Sequence, residues 1–205
     1  HPLVASPLAD FAHGGWQPVI DRMALPDSNE PLSPAEEVSR LLIGSGKVAI
    51  DLITSETAQQ HPETGVIRLE QLAPFPVDDL VNVVGAYSAV EEIVWVQEEP
   101  ENMGAWHFAR PYLEKIVAEL NARRAPEGDR PVSLYRVARP RSASPAEGSA
   151  TLHHENQRKF IEKAFGRLGE HVNTPELDET MRIAATGAQR RGKKRAPREG
   201  RMNDD

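Results

Sequence analysis

Apolar residues fall into short runs that alternate with stretches of helical spacing. Arg40-Leu41-Leu42-Ile43-Gly44 is apolar, brief and closed by glycine, as suits a buried strand. Lys47 to Gln60 then carries Val48, Ile50, Leu52 and Ile53 at helix-compatible positions and stops before Pro62. Gly65-Val66-Ile67-Arg68-Leu69 reads as a second strand. Pro76-Val77-Asp78-Asp79-Leu80 opens a helix, with its acids at the positive end of the dipole. The clearest strand is Glu92-Ile93-Val94-Trp95-Val96-Gln97, β-branched and aromatic and followed by Glu98 and Glu99.

Beyond it, Ala105 to Arg123 predicts a helix with Trp106, Leu113, Ile116, Val117 and Leu120 on its buried side. Pro111 lies in its first turns or marks a kink. Pro131 to Val137 is a fourth strand, residues 139–150 a Ser/Pro/Ala loop, and His153 to Phe165 a last helix. Such alternation, with strands apolar throughout, predicts an α/β domain over residues 37–167: a mostly parallel sheet flanked by helices. Residues 1–36, broken by six prolines, read as an irregular lead-in. Residues 168–205 read as a basic tail with too little apolar surface to order it.

Charge divides the same way. Seven basic side chains lie between Arg190 and Arg201, whereas residues 1–185 hold 17 basic against 28 acidic groups. The acidic body is unsuited to phosphate backbones, and only the tail offers a nucleic-acid contact, so nucleic acid is not an expected partner. No apolar run reaches membrane-spanning length, and with no cysteine the chain has no disulfide, thiolate or Cys-zinc chemistry. That leans towards a reducing compartment. A first residue of His1 leads us to expect a piece of something longer.

Candidate chemistry is sparse. Gly44-Ser45-Gly46-Lys47 stands between a strand and a helix. Val48 replaces the Ser or Thr of a phosphate loop and Leu41 its first glycine, so the spacing gives a tight turn. Gln97-Glu98-Glu99 ends a strand where open α/β sheets place ligands. Adjacent acids on an extended chain point to opposite faces and cannot flank one bond, which favours an interface or structural role. His153-His154 has no third ligand, and no serine sits in a nucleophile elbow. No catalytic, cofactor-binding or metal-ligating set is expected in the chain itself.

Several strings nonetheless occur in a specific order: Ile43-Gly44-Ser45-Gly46-Lys47-Val48, Ile67 to Pro76 (IRLEQLAPFP), Trp95 to Trp106 (WVQEEPENMGAW), Arg139 to Ala146 (RPRSASPA) and a helix near His153. Together they resemble the C-terminal domain of the decarboxylating component of 2-oxoglutarate dehydrogenase, over about residues 1–166. The resemblance implies a transketolase C-terminal-like fold. It also implies a parent that uses thiamine diphosphate and magnesium to decarboxylate 2-oxoglutarate in the tricarboxylic acid cycle. That parent passes the succinyl group to a lipoyl-carrying acyltransferase component of a multienzyme complex.

The implied partners of this domain are the upstream thiamine-binding domains and a homodimer partner. The implied setting is the cytoplasm of a bacterium or the mitochondrial matrix of a eukaryote. Gln97, Glu98, Glu99, Asn102, Arg139 and Arg141 are candidate interface or structural residues. Gln71 matches a position of the acetyl-CoA or nucleotide effector site of some relatives. Gly15, Pro18, Val77 and Asp78 stand where those relatives have basic or polar residues, which weakens attraction for a phosphate. Met103 replaces the family's usual glutamine, and residues 168–205 have no counterpart. The alternative is a stand-alone, non-enzymatic module that binds a partner or effector.

Overall fold

The computed structural model describes Ala5, residues 8–21 and residues 34–166. The expectation for the basic tail, and those for residues 1–4, 6–7 and 22–33, lie outside the described residues. Five strands form one sheet: β1 (Val19–Ile20), β2 (Arg40–Gly44), β3 (Thr64–Leu69), β4 (Glu92–Pro100) and β5 (Ser133–Arg139). Their order is β1-β3-β2-β4-β5. Every pairing is parallel except that of β1 with β3, where Val19 lies opposite Leu69. The predicted α/β architecture is therefore the observed one, and it is of the transketolase C-terminal-like kind.

The helices are α1 (Leu8–His13), α2 (Lys47–Ile53), α3 (Glu56–Gln59), α4 (Val77–Gly85), α5 (Trp106–Arg124) and α6 (Ala150–Phe165). α2, α3 and α6 pack on one face of the sheet, and α4 and α5 together on the other. Strands covered on both faces need no polar side, and so Leu41, Leu42, Ile43, Ile67, Val94 and Trp95 are all essentially inaccessible. Each such side chain contributes about 1.5–3 kcal/mol on burial.

Several boundaries differ from the sequence reading. The lead-in is not wholly irregular: it holds α1, and β1 adds an edge strand because the Pro18 carbonyl accepts from the Glu70 and Gln71 amides. The helix expected from Lys47 to Gln60 is two, α2 and α3. Ser55 interrupts it by accepting the Ala58 amide as an N-cap. β4 runs on through Glu98 and Glu99 to Pro100, with a register shift against β5 after Val96.

α5 continues through Pro111, which has no N–H to offer the carbonyl four residues back, that of His107. α6 begins at Ala150, three residues early, because the Ser149 side chain caps it. Of the five apolar positions predicted on α5, Trp106, Leu113, Ile116 and Leu120 are buried and Val117 is half-buried.

A buried arginine ties the start of the sheet to the end of the domain. Arg40 is 3% exposed, pairs with Glu92 and donates from Nη2 to the Ala164 carbonyl at 3.0 Å. Desolvation pulls its pKa below the ordinary value, while Glu92 opposes that shift. Arg124 similarly donates to the carbonyls of Tyr87, Ser88 and Val90, fastening the end of α5 to the turn after α4.

Truncation should discriminate these layers. Leu42→Ala, in the centre of the sheet, is expected to cost about 2–5 kcal/mol in equilibrium unfolding. Leu152→Ala, at a position 47% exposed, should stay within about 0.5 kcal/mol of the parent.

Candidate functional site at the carboxyl ends of the strands

The described polar chemistry is concentrated where β4 and β5 end. Gln97 is 3% exposed, and its amide is completely used. Oε1 accepts from the Trp95 indole and from the Trp106 backbone amide, each at 3.0 Å. Nε2 donates to the carbonyls of Pro100 at 3.1 Å and Met103 at 2.8 Å. One side chain thus closes the turn between β4 and α5 and supplies the first turn of α5 with an acceptor. Gly104 makes the turn possible: its φ is +68°, and a Cβ there would come within 2.8 Å of Gln97 Nε2. Met103 takes part through its backbone, its carbonyl accepting from Gln97 and its amide donating to the Pro100 carbonyl at 2.8 Å, so replacing the family's glutamine by methionine leaves both bonds intact.

The adjacent loop is stitched to the same end. Asn102 and Ser142 exchange two bonds, at 3.0 and 3.1 Å. Arg139 donates to the carbonyls of Glu98 and Pro145 and pairs with Glu147 at 2.6 Å. Glu147 also receives His153 at 3.2 Å and Asn156 at 3.3 Å, which joins the loop to α6. Burial alone would raise the Glu147 pKa. The hydrogen bonds from His153, Arg139 and Asn156 outweigh it and hold the carboxyl at about 2.

Glu101 bridges Arg136 at 3.1 Å and Arg141 at 3.3 Å, and the Arg136 guanidinium lies 5.5 Å from the centre of the Trp106 ring. Desolvation lowers the Arg136 pKa despite Glu101.

Gln97, Glu98, Asn102, Arg139 and Arg141 are therefore brought together. Glu98 takes part through its carbonyl, and Glu99 stands exposed beside them. Gln71 lies elsewhere, at the end of β3. It accepts from the Trp16 indole at 2.9 Å and donates to the Pro74 carbonyl at 2.8 Å, next to the cis Ala73–Pro74 bond. Gly15 and Pro18 share that neighbourhood, since they flank Trp16 and the amides of Glu70 and Gln71 bind Pro18. Val77 and Asp78 start α4 a few residues on.

The sequence reading missed the Arg139–Glu147–His153 linkage. Glu147 sits in a Ser/Pro/Ala loop that carries no periodic signal.

A cleft of about 590 Å³ opens beside α2, where the chain leaves β3; Gly46, Lys47, Asp51, Arg68 and Glu70 contribute to its lining. Its two cations are already paired, Lys47 with Asp51 and Arg68 with Glu70. Among the described residues, no three His, Asp or Glu side chains come together as metal ligands.

Gln97→Met should cost about 2–4 kcal/mol, because it removes the partner of two donors, the Trp95 indole and the Trp106 amide, and of the Met103 carbonyl, while the Pro100 carbonyl keeps the Met103 amide. Glu147 gives a pH test. Its folded pKa lies below the ordinary 4.5, so its contribution is full above that value and is lost as pH falls towards 2. Denaturant titrations across that window should show a steeper loss for the parent than for Glu147→Gln.

Known sequences resemble this chain over the same elements. The family model described as 2-oxoglutarate dehydrogenase C-terminal matches residues 5–165. The 2-oxoglutarate dehydrogenase E1 component of Exiguobacterium sp. is 34% identical over 171 residues, and that of Bacillus pumilus 36% over 169. That of Cupriavidus necator is 38% identical over 169 residues. Each alignment covers 82% of this chain but 16% of the relative, so the chain spans about a sixth of their length. With the matched segment running from α1 to the end of α6, the chain belongs to the 2-oxoglutarate dehydrogenase C-terminal family.

Proposed function

We propose that this chain is the C-terminal domain of a thiamine diphosphate-dependent 2-oxoglutarate dehydrogenase, and that it packs and shapes the assembled site without being catalytic alone. The observation that carries this reading is the state of the polar groups at the carboxyl ends of the strands. They are spent on one another: Gln97 on its turn, Arg139 on Glu147, and Glu101 on two arginines. Such a surface is rigid and presents a fixed shape, with Glu99 left to contact a neighbour.

Exposed apolar residues support a packing role. Leu8 and Phe11 on α1 are 85% and 79% exposed, and Trp16, held by Gln71, is 68% exposed. Grouped on one lead-in, they form a surface suited to burial against another domain. In this reading the thiamine diphosphate and magnesium sit in upstream domains, a second subunit completes the dimer, and the succinyl group leaves on a lipoyl-carrying acyltransferase. The cofactor supplies the decarboxylation chemistry, and this domain supplies position.

Two measurements test the reading together. The chain alone, given thiamine diphosphate, magnesium, 2-oxoglutarate and an artificial electron acceptor, is expected to show no saturable turnover. Grafted in place of the matching segment of the Cupriavidus necator E1 component, it is expected to sustain turnover, and Phe11→Asp in the graft should reduce it. Turnover by the chain alone, or a well-folded graft without activity, would overturn the proposal.

A further inference from the structure

We propose that the outer edge of β5 pairs antiparallel with the same strand of a second copy of this chain, about a two-fold axis at Arg136. The parity of the strand places its free groups. The Ser133 amide donates to the Glu91 carbonyl and the Arg139 carbonyl accepts from the Glu101 amide, so odd-numbered residues of β5 face β4. Leu134, Arg136 and Ala138 therefore aim their N–H and C=O groups outward. β5 ends the sheet, and among the described residues nothing hydrogen-bonds to those three backbones on that side.

Both ends of this open stretch are closed by the chain itself. At Val132, the next outward residue upstream, the Asn121 side chain accepts from the amide at 2.7 Å and donates to the carbonyl at 2.9 Å. Pro140, the next outward residue downstream, has no N–H to offer. What remains is a window of three residues centred on Arg136, bounded by a capped residue and a proline.

A bounded, centred window favours a second copy as occupant. Two-fold antiparallel pairing sets Arg136 against its own counterpart and Leu134 against Ala138. All six outward groups of each strand are used, and both closed ends stay outside the pairing. Any other register of the same pair leaves open groups unpaired. On the opposite face of the sheet, Tyr135 meets Val137, an aromatic–β-branched pair. The two Arg136 side chains are each paired with their own Glu101, which weakens their mutual repulsion. Within the strand there is no lysine or proline of the kind that blocks an edge. The inference rests on the homodimer part of the reading above, and its test is independent of turnover.

Sedimentation of the full chain over a concentration series, with amide exchange read at each residue, tests it. A dimer is expected in which Leu134, Arg136 and Ala138 exchange more slowly as concentration rises, while Val132 is protected throughout. Ala138→Pro removes an outward N–H from each copy without touching the β4 ladder. It should weaken the dimer about ten- to a hundred-fold and leave the thermal midpoint of the dilute chain unchanged.

A chain that stays monomeric at high concentration would overturn the proposal. So would a dimer whose three amides exchange freely, or one that Ala138→Pro leaves intact. Should that variant fold poorly, the exchange pattern of the unaltered chain decides alone.

Discussion

The turn from β4 to α5 depends on one neutral amide. A strand ending in the core and a helix starting there each leave backbone groups that water cannot reach. Gln97 has two donor hydrogens and an acceptor oxygen with two lone pairs, and the turn presents two carbonyls and two N–H groups. An acid could not donate and a lysine could not accept. The positive φ of Gly104 and the burial of Trp95 and Trp106 are conditions for that match. The rest of the carboxyl end is built on the platform it fixes.

From that platform the charges are arranged in closed sets. Glu101 serves two arginines, Glu147 serves an arginine, a histidine and an asparagine, and Arg40 at the other end of the sheet serves Glu92 and a helix carbonyl. These groups are held because leaving any one of them unpaired in the interior costs more than its pairing gains. A domain built this way is stiff at the carboxyl ends of its strands. The proposed role, packing against and shaping an active site assembled elsewhere, rests on that stiffness.

Much of this was legible along the chain. β2, β3 and β4 are buried on both faces and hence apolar throughout, so composition alone reveals them. α5 and α6 are long enough for their spacing to show. The motif order identified the family, because the glycines and polar residues of Trp95 to Trp106 are dictated by a local turn. Boundaries were less legible. Ser55 and Ser149 shift helix starts through single side-chain bonds, and among the described residues other serines, such as Ser88 and Ser133, cap no helix.

What the sequence by itself determined is the set of elements, their burial and the family, because each rests on contacts between residues close in the chain. What only the tertiary structure decided is which polar groups meet. Trp16 finds Gln71 across 55 residues, Arg139 finds the Glu98 carbonyl across 41, and Arg40 finds Ala164 across 124. The antiparallel edge made by the lead-in and the open window on β5 belong to the same class. They depend on strand order and on which way each backbone group points, and neither is encoded in local periodicity.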